Sequence, residues 1–399
     1  MPTTVERVRH LGFGDLPVVL DTNELPRPDA NEFLLGRLGR AANTLDNEAR
    51  ALIPLLNWLE HQGIDIWERV SSGAGFTEAE FRGGMIENLR RKSSPRRNEK
   101  VVDINSIVSP DVFNQRLTVV LNFVSWHHHQ ALVRAQSDDR LRERIQNSLS
   151  RIERIVSESY IKQSTRDNSA RKHLTEAEQA FLIEKLNPDK CGIGATEAVQ
   201  RRNFVTLMLL LSCGMRRGEV LSLRVQDLFL RTSTPQVNVT RRPDDPDDGR
   251  SPRPSVKRNG RPIPLDRTLA KAIQGYVRTW RNKLLDNATH DTDYLILSKD
   301  GRPLSLRGLN GVFERLRELY PEQLPDNFSP HTYRHTFSIN FERSCRRAGL
   351  SEEQRQHALM YLRGDSSPQS QEDYIAAEVR EKATQQLVHY QKQLLDDLP

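Results

Sequence analysis

Apolar side chains recur at helical spacing along most of the first 160 residues. Residues 44–63 carry a stripe of alanines and leucines that stops at Gly63, which is typical of one amphipathic helix with a kink at Pro54. Similar stripes cover residues 76–89, 112–132 and 141–160. The pattern predicts four or five helices joined by polar linkers. Residues 1–28 hold prolines and no sustained period, so we expect an irregular N-terminal segment there.

A second domain is expected after residues 163–172, which are polar, small and basic and therefore indicate a linker. Thr175 and Glu178 then have the spacing of a capping box ahead of an apolar stretch, so a new helix begins there. Further on, residues 204–214 have the pattern of a buried helix that ends at a glycine. We expect a helical domain at 29–165, a linker at 166–173 and a second domain at 174–399.

Strand signals lie between the helical stretches of this second domain. Residues 237–240 alternate like a strand, and Asn259-Gly260 within residues 257–265 is a strong hairpin signal. The segment between them is rich in proline and charge, and we expect it to be a solvent-exposed insertion. The predicted fold class is mainly α with a small antiparallel β-sheet.

Composition narrows the class of protein. The chain has 399 residues, of which 36% are hydrophobic and 28% charged, as in globular domains rather than disordered tails. No apolar run approaches the roughly 18 residues needed to cross a bilayer, and the N-terminus lacks an export signal. Three scattered cysteines support neither a disulfide framework nor a zinc finger. We therefore expect a cytoplasmic protein without a membrane partner.

Positive charge is concentrated in short segments, although the net charge is only +6. Such segments are either solvated loops or contacts to a polyanion. Residues 90–100 lie between two predicted helices and favour a loop that touches phosphates. The candidate DNA contacts are Arg90, Arg91, Lys92, Arg96, Arg97 and Arg258.

Several residues of the second domain could act together on a phosphate. Arg216 follows a glycine that ends a helix, and its guanidinium could donate two hydrogen bonds to a phosphate while Glu219 holds it in position. Lys257 would bring one flexible cation from the hairpin. Each feature alone has an ordinary explanation, either a structural Arg–Glu pair or a solvated lysine.

Another set of cations follows Pro330. If this proline opens a helix, His331, Arg334 and His335 fall at positions i, i+3 and i+4 on one face. A zinc site would need a further ligand, and none stands out. The three successive histidines at 127–129 lie on different sides of one helix, so we assign no metal there either.

A candidate nucleophile, Tyr374, lies near the C-terminal end of the sequence. The order Arg216, Lys257, His331-x-x-Arg334-His335 and Tyr374, behind a Leu-Thr-Glu-Ala-Glu opening at 174–178, resembles the tyrosine recombinase (phage integrase) family. The resemblance covers residues 174–399 and, more loosely, the helical first domain. It implies a helical DNA-binding domain and a catalytic domain that together surround duplex DNA.

The resemblance also implies roles for the residues. Arg216 and Arg334 would bind the non-bridging oxygens of the scissile phosphate, and Lys257 would protonate the departing 5′ oxygen. His331 would assist proton transfer, with Glu219 and His335 in support. Tyr374 would form a 3′-phosphotyrosyl link that conserves the bond energy, so that neither a cofactor nor a metal is required.

One position departs from the family pattern. Asp365 stands nine residues before the tyrosine, where members usually have histidine or tryptophan. A carboxylate repels phosphate, so three explanations stay open. Asp365 pairs with a cation such as Arg363, it turns away while His357 or Arg363 replaces it, or the protein is impaired. The insertion before Lys257 is a second departure, and it lengthens the usual hairpin.

Assembly follows from the same resemblance. The expected partners are a double-stranded DNA recombination site and, on DNA, a homo-tetramer that is a monomer or dimer when free. The apolar face of residues 375–398 either packs on a neighbouring protomer or folds back on its own domain. Site-specific strand exchange, such as that of a mobile genetic element, is the leading hypothesis. A topoisomerase-like or telomere-resolving enzyme and a DNA-binding protein with a decayed active site are the alternatives.

Overall fold

The structure is a computed structural model in which the chain forms two compact units, residues 1–166 and 167–399. It describes residues 3–10, 14–91, 107–162, 173–242, 245, 248–254, 256, 260–364 and 373–395, with the backbone alone for 373–382. Each unit has its own hydrophobic core. The fold is mainly α-helical with two small antiparallel sheets, which confirms the predicted fold class.

Unit 1 consists of a two-stranded hairpin followed by helices. Its elements are β1 (Thr4–His10), β2 (Gly14–Leu20), α1 (Pro28–Leu35), α2 (Ala42–His61), α3 (Ile66–Ser71), a π-helical segment (Glu80–Ile86), α4 (Glu87–Arg90), α5 (Pro110–Arg134) and α6 (Asp139–Ser159). The four predicted apolar stripes correspond to α2, the π-helical segment with α4, α5 and α6. Pro54 lies inside α2, which continues through it.

The N-terminal hairpin corrects the expectation of an irregular segment at residues 1–28. Strands β1 and β2 pair in antiparallel register from Thr4 opposite Leu20 to His10 opposite Gly14. The Arg7 guanidinium donates to both carboxylate oxygens of Asp46 on α2, at 3.1 and 3.0 Å. The hairpin was missed because tertiary contacts with α2 stabilise it, whereas its own sequence shows little apolar alternation.

Unit 2 contains helices around a three-stranded sheet. Its elements are α7 (Glu176–Leu186), α8 (Glu197–Cys213), α9 (Arg217–Leu221), a 3₁₀ turn (Val225–Asp227), β3 (Leu228–Phe229), β4 (Gln236–Val239), β5 (Arg261–Pro264), α10 (Arg267–Gly275), a π-helical segment (Tyr276–Trp280), α11 (Arg281–Leu285), α12 (Leu306–Leu319), α13 (Pro330–Arg347), α14 (Glu352–Arg363) and α15 (Asp373–Leu395). The capping box predicted at Thr175 and Glu178 begins α7.

The sheet of unit 2 has the order β3-β4-β5, with both pairs antiparallel. Strand β5 begins directly after Gly260, where an added Cβ would lie 2.6 Å from the carbonyl oxygen of Val239. The partner of β5 is β4, so residues 240–260 form the whole connection. Asn259, the first residue of the predicted Asn259-Gly260 turn, lies outside the described residues, so this turn stays a prediction.

The expectation of a solvent-exposed insertion between β4 and β5 is wrong for Asp248 and Arg250, which are buried, whereas Gly249, Ser251 and Pro252 are exposed. Arg250 is buried and donates to both carboxylate oxygens of Asp248, at 2.8 and 2.9 Å. Its remaining Nη1 donates to the carbonyls of Leu221 and Leu304, each at 2.9 Å. Asp245 pairs with Arg224. Charge indicated exposure here, but the charges are neutralised by ion pairs and can be buried.

Helix α15 folds back on its own unit. Ala383, Leu387, Tyr390 and Leu395 are part of the unit 2 core. Gln391 is fully buried, and its Oε1 accepts a hydrogen bond from the backbone of Asp266 at 2.6 Å. Its Nε2 donates to the carbonyl of Pro264 at 3.2 Å. Of the two alternatives for this segment, the chain therefore adopts the intramolecular one for residues 383–395.

The histidines at 127–129 lie on α5 with different exposure. His127 and His128 are buried and His129 is exposed. Within the described residues, no group of three or more histidine, cysteine, aspartate or glutamate side chains is placed to hold a metal ion. None of the described helices is both long and apolar enough to span a bilayer.

Candidate active site

Arg216 lies at the junction of two helices in unit 2. Helix α8 ends at Cys213 and is capped by Gly214, which has φ +62°, and Arg216 is the N-cap residue of the short helix α9. The left-handed conformation favours glycine at 214, and an added Cβ there would lie 2.1 Å from the Phe337 ring. The chain therefore turns sharply into α9 with Arg216 at the turn.

Glu219 fixes both the backbone and the side chain of Arg216. Its carboxylate has no solvent exposure and accepts from the Arg216 backbone N–H at 2.8 Å and from Arg216 Nη1 at 3.2 Å. Arg261 on β5 donates to the two carboxylate oxygens at 3.1 Å each. Burial alone would raise the pKa of Glu219, but the two arginines outweigh it and hold the pKa below its usual range. The carboxylate is therefore ionised at neutral pH.

Arg334 reaches the same place from α13. It is buried, and its Nη1 donates to the carbonyl of Gly214 at 2.7 Å. Its Nη2 donates to the carbonyl of Arg363 at 3.0 Å, and Arg216 Nη1 donates to that same oxygen at 2.9 Å. One backbone oxygen thus holds both candidate phosphate-binding guanidiniums.

The shared acceptor is the C-terminal end of α14. The last carbonyls of a helix lack intrahelical partners and carry partial negative charge, so they attract cations. The adjacent carbonyl, of Leu362, accepts from Arg261 Nε at 2.7 Å. Three guanidiniums and one carboxylate therefore meet here, and this group has an excess of positive charge suited to a phosphate.

The histidines of α13 differ from Arg334 in exposure. His331 and His335 are exposed, whereas Arg334 is buried. Along the predicted cationic face, a buried guanidinium therefore lies between two exposed imidazoles in sequence. Both imidazoles are accessible to a ligand that approaches the surface.

Other predicted site residues fall outside the described residues. These are Lys257, Arg258 and Asp365, and the side chain of Tyr374, whose backbone lies in the first turn of α15. Their predicted roles stay predictions.

The predicted DNA contacts of unit 1 are described only at the start of the basic segment. Arg90 ends α4, its guanidinium lies over the Phe113 ring at 5.1 Å, and Arg91 is exposed. Lys92, Arg96 and Arg97 lie outside the described residues. Arg116 donates to the carbonyls of Leu89 and Arg91 at 2.8 and 2.6 Å. These hydrogen bonds from Arg116 fix the backbone at the start of the basic segment.

Arg261 is a member of this site that was not predicted from the sequence. It lies in the predicted hairpin segment 257–265, yet it is buried and contacts Glu219. The signal was available in strand β5, where Arg261 and Ile263 alternate with the exposed Pro262. A charged residue on the inward face of a strand requires a buried partner of opposite charge.

Comparisons with known proteins agree with the resemblance. Residues 172–359 match the family model described as "Phage integrase family". That range contains Arg216, Lys257, His331 and Arg334 and ends before Tyr374. A tyrosine recombinase XerC of Anoxybacillus flavithermus is 26% identical over 166 residues, which are 41% of this chain and 46% of that protein.

A second XerC, of Oceanobacillus iheyensis, is 26% identical over 145 residues, or 36% of this chain and 42% of that protein. The chain thus spans less than half of these relatives' length. Among solved structures, a Tn1549 transposon integrase in complex with circular intermediate DNA is 20% identical, with a TM-score of 0.41, covering 69% of this chain and 81% of that one. XerH bound to difH has 13% identity and a TM-score of 0.43, covering 95% and 91%.

The family match lies within unit 2. Residues 172–359 of this chain thus match the phage integrase family, and the curated proteins that are similar to part of the chain are tyrosine recombinases.

Proposed function

We propose that this chain is a site-specific DNA recombinase that cleaves and rejoins DNA through a 3′-phosphotyrosyl intermediate. The reaction would be of the integration, excision or inversion type found in mobile genetic elements. The observation that carries the proposal is the convergence of Arg216 and Arg334, both inside the range that matches the family, on the carbonyl of Arg363. Two fixed guanidiniums suit a phosphodiester, which has two non-bridging oxygens.

The proposed roles of these residues follow from the negative charge that develops on the phosphate during cleavage. When the Tyr374 oxygen attacks the phosphorus, negative charge grows on the non-bridging oxygens, and preorganised donors that stabilise this charge lower the barrier. Arg216 and Arg334 would be those donors. Lys257 would give a proton to the departing 5′ oxygen, and the exposed His331 would assist proton transfer. The phosphotyrosyl ester retains the bond energy, so rejoining needs neither ATP nor another cofactor.

The proposed partner is a double-stranded DNA recombination site. A homo-tetramer on DNA and a monomer or dimer in free solution are proposed from the resemblance, as is a cytoplasmic location at the nucleoid. The basic segment that begins at Arg90 and Arg91 would add phosphate contacts from unit 1. Binding should then weaken steeply with salt, because phosphate contacts release counterions.

Tyr374→Phe tests the nucleophile. Duplexes that bind the wild-type chain are first selected from a random-sequence pool, and a labelled selected duplex is then incubated with each variant. The wild type should leave a denaturation-resistant protein–DNA adduct, and Tyr374→Phe should leave none because the phenyl ring has no oxygen to attack. Tyr320→Phe is the matched control and should form the adduct normally.

Other outcomes separate the alternative functions. Two copies of the selected site on one plasmid should yield recombinants if the protein exchanges strands. Relaxation of a supercoiled plasmid without the site would favour a topoisomerase-like enzyme. Tight binding of the selected duplex without any adduct would refute the recombinase and favour an accessory DNA-binding protein.

A further inference from the structure

We propose that Arg261 is a positioning residue for the arginine pair: it neutralises Glu219, fixes the end of α14 and thereby leaves Arg216 with its full positive charge toward a phosphate. This inference rests on the proposed function. Arg261 itself lies too deep to be a direct ligand, since only 6% of its surface is exposed. Its effect would pass through the groups that it holds.

Arg261 compensates the negative charge of Glu219. If this carboxylate paired with Arg216 alone, the pair would be neutral and would attract a phosphate weakly. Arg261 instead makes the two-pronged contact, with Nη1 and Nη2 each 3.1 Å from a different carboxylate oxygen. Such a bidentate pair is the strong geometry for arginine and carboxylate. Glu219 can therefore orient Arg216 without cancelling its charge.

Arg216 is more exposed to solvent than the other two residues of this ion-pair group. The side chain of Arg216 is 24% exposed, whereas those of Arg261 and Glu219 are 4% and 0% exposed. A buried carboxylate without a counter-charge is strongly unfavourable. Because Arg261 stays with Glu219 inside the protein, Arg216 can shift toward a phosphate without leaving a bare buried anion.

Arg261 also fixes the end of α14, which carries the carbonyl that Arg216 and Arg334 share. Arg261 Nε donates to the Leu362 carbonyl at 2.7 Å, one residue before the Arg363 carbonyl that accepts from Arg216 and Arg334. The contact holds the last turn of α14 against β5. It therefore fixes the oxygen on which both phosphate-binding guanidiniums depend.

Gly364 provides independent support for this packing. A Cβ at position 364 would lie 2.4 Å from Arg261 Nη1, and the residue has φ +61°. Glycine thus both ends α14 and leaves the space that the guanidinium occupies. The end of the helix is shaped around Arg261.

The test compares Arg261→Gln, Arg261→Lys and the double variant Arg261→Gln/Glu219→Gln with Arg281→Gln as a control. Arg281 is also a buried arginine, but its guanidinium donates to the carbonyls of Tyr294 and Thr292, away from the site. The readout is the single-turnover rate of adduct formation on the selected duplex at saturating protein, with the melting temperature of each variant measured in parallel.

We expect Arg261→Gln to lower the rate by about 100-fold, the size seen when one preorganised donor to a transition state is lost. Arg261→Lys should lose about tenfold, because lysine keeps the charge but not the fork. The double variant should recover at least about tenfold over Arg261→Gln, because an uncharged amide in place of the Glu219 carboxylate no longer neutralises Arg216. Arg281→Gln should keep the wild-type rate at temperatures where it is folded.

The proposal is overturned if Arg261→Gln cleaves like Arg281→Gln, or if the double variant is no faster than the single one. If Arg261→Gln does not fold, the rates of Arg261→Lys and Arg281→Gln decide in the same way. Inorganic phosphate gives a second readout that needs neither DNA nor the tyrosine. It should raise the melting temperature of the wild type and of Arg281→Gln more than that of Arg261→Lys.

The phosphate readout separates the two proposals. If the wild type forms no adduct on any selected duplex, the recombinase proposal fails. The role of Arg261 then stands if phosphate stabilises the wild type more than Arg261→Lys, and it falls if phosphate stabilises both equally.

Discussion

Acid should selectively destabilise unit 1 through His127. This histidine is buried in α5, with its ring edge-to-face against Phe123 and Trp126 at centroid distances of 4.8 Å. Neither ring nitrogen has a hydrogen-bond partner among the described residues. Burial lowers its pKa from 6.5 to about 4, with a smaller contribution from the neighbouring His128, while Asp29 and Asp65 act weakly in the opposite direction.

Proton linkage gives the direction and the size of the change in folding stability with pH. Between pH 6.5 and about 4 the unfolded chain binds a proton at His127 that the folded chain excludes, so stability falls as the pH is lowered through this window. Each pKa unit corresponds to about 1.4 kcal/mol, which gives a loss of about 3 kcal/mol over the window. Burial also lowers the pKa of His128, so that residue acts in the same direction.

Urea unfolding of the full chain, followed by tryptophan fluorescence at pH 7.5 and 4.5, measures this loss. Trp58, Trp67 and Trp126 lie in unit 1, and the fourth tryptophan, Trp280, lies in unit 2. The difference between the two pH values should be smaller by about 2–3 kcal/mol in His127→Phe than in the wild type.

His129→Phe is the control, because this residue is exposed on the same helix. It should show the full wild-type difference between the two pH values. Equal acid losses in the wild type and in His127→Phe would refute the assignment of the loss to burial of this imidazole.

Two further substitutions test the framework of unit 2. Gly214→Ala should destabilise this unit by about 2–4 kcal/mol through left-handed strain and a clash with the Phe337 ring, whereas Gly275→Ala, which meets open space in a helix, should not lower the stability in the same thermal melt. Gln391→Met should leave buried backbone groups unpaired and release α15 to limited proteolysis, with a loss of about 2–3 kcal/mol. The exposed Gln393→Met should leave the cleavage pattern unchanged, and equal protease resistance of the two variants would contradict the role of Gln391.

Local signals explain what the sequence predicted well. The capping box at Thr175 and the glycine stop at Gly214 depend on residues within one turn, so both were visible in the chain order. The same holds for Arg216 and Glu219, which are three residues apart at the start of α9. The long helices were visible because each has an apolar stripe that faces a core.

Partners distant in sequence explain the rest. Arg261 contacts Glu219 across 42 residues and Leu362 across 101, and no periodicity indicates such pairs. Within the charged connection between β4 and β5, Arg250 is buried and donates to the carbonyl of Leu304, 54 residues away. The N-terminal hairpin depends in the same way on Asp46.

The oxygen that joins Arg216 to Arg334 belongs to the polypeptide backbone. Every amino acid at position 363 supplies this carbonyl oxygen. Neither sequence conservation nor alanine substitution at position 363 would therefore reveal its role in holding the two arginines. The need for this oxygen should instead restrict neighbouring positions that determine the path of the backbone. Gly364 is the main example, because a side chain there would contact Arg261, whereas position 363 can accept other residues.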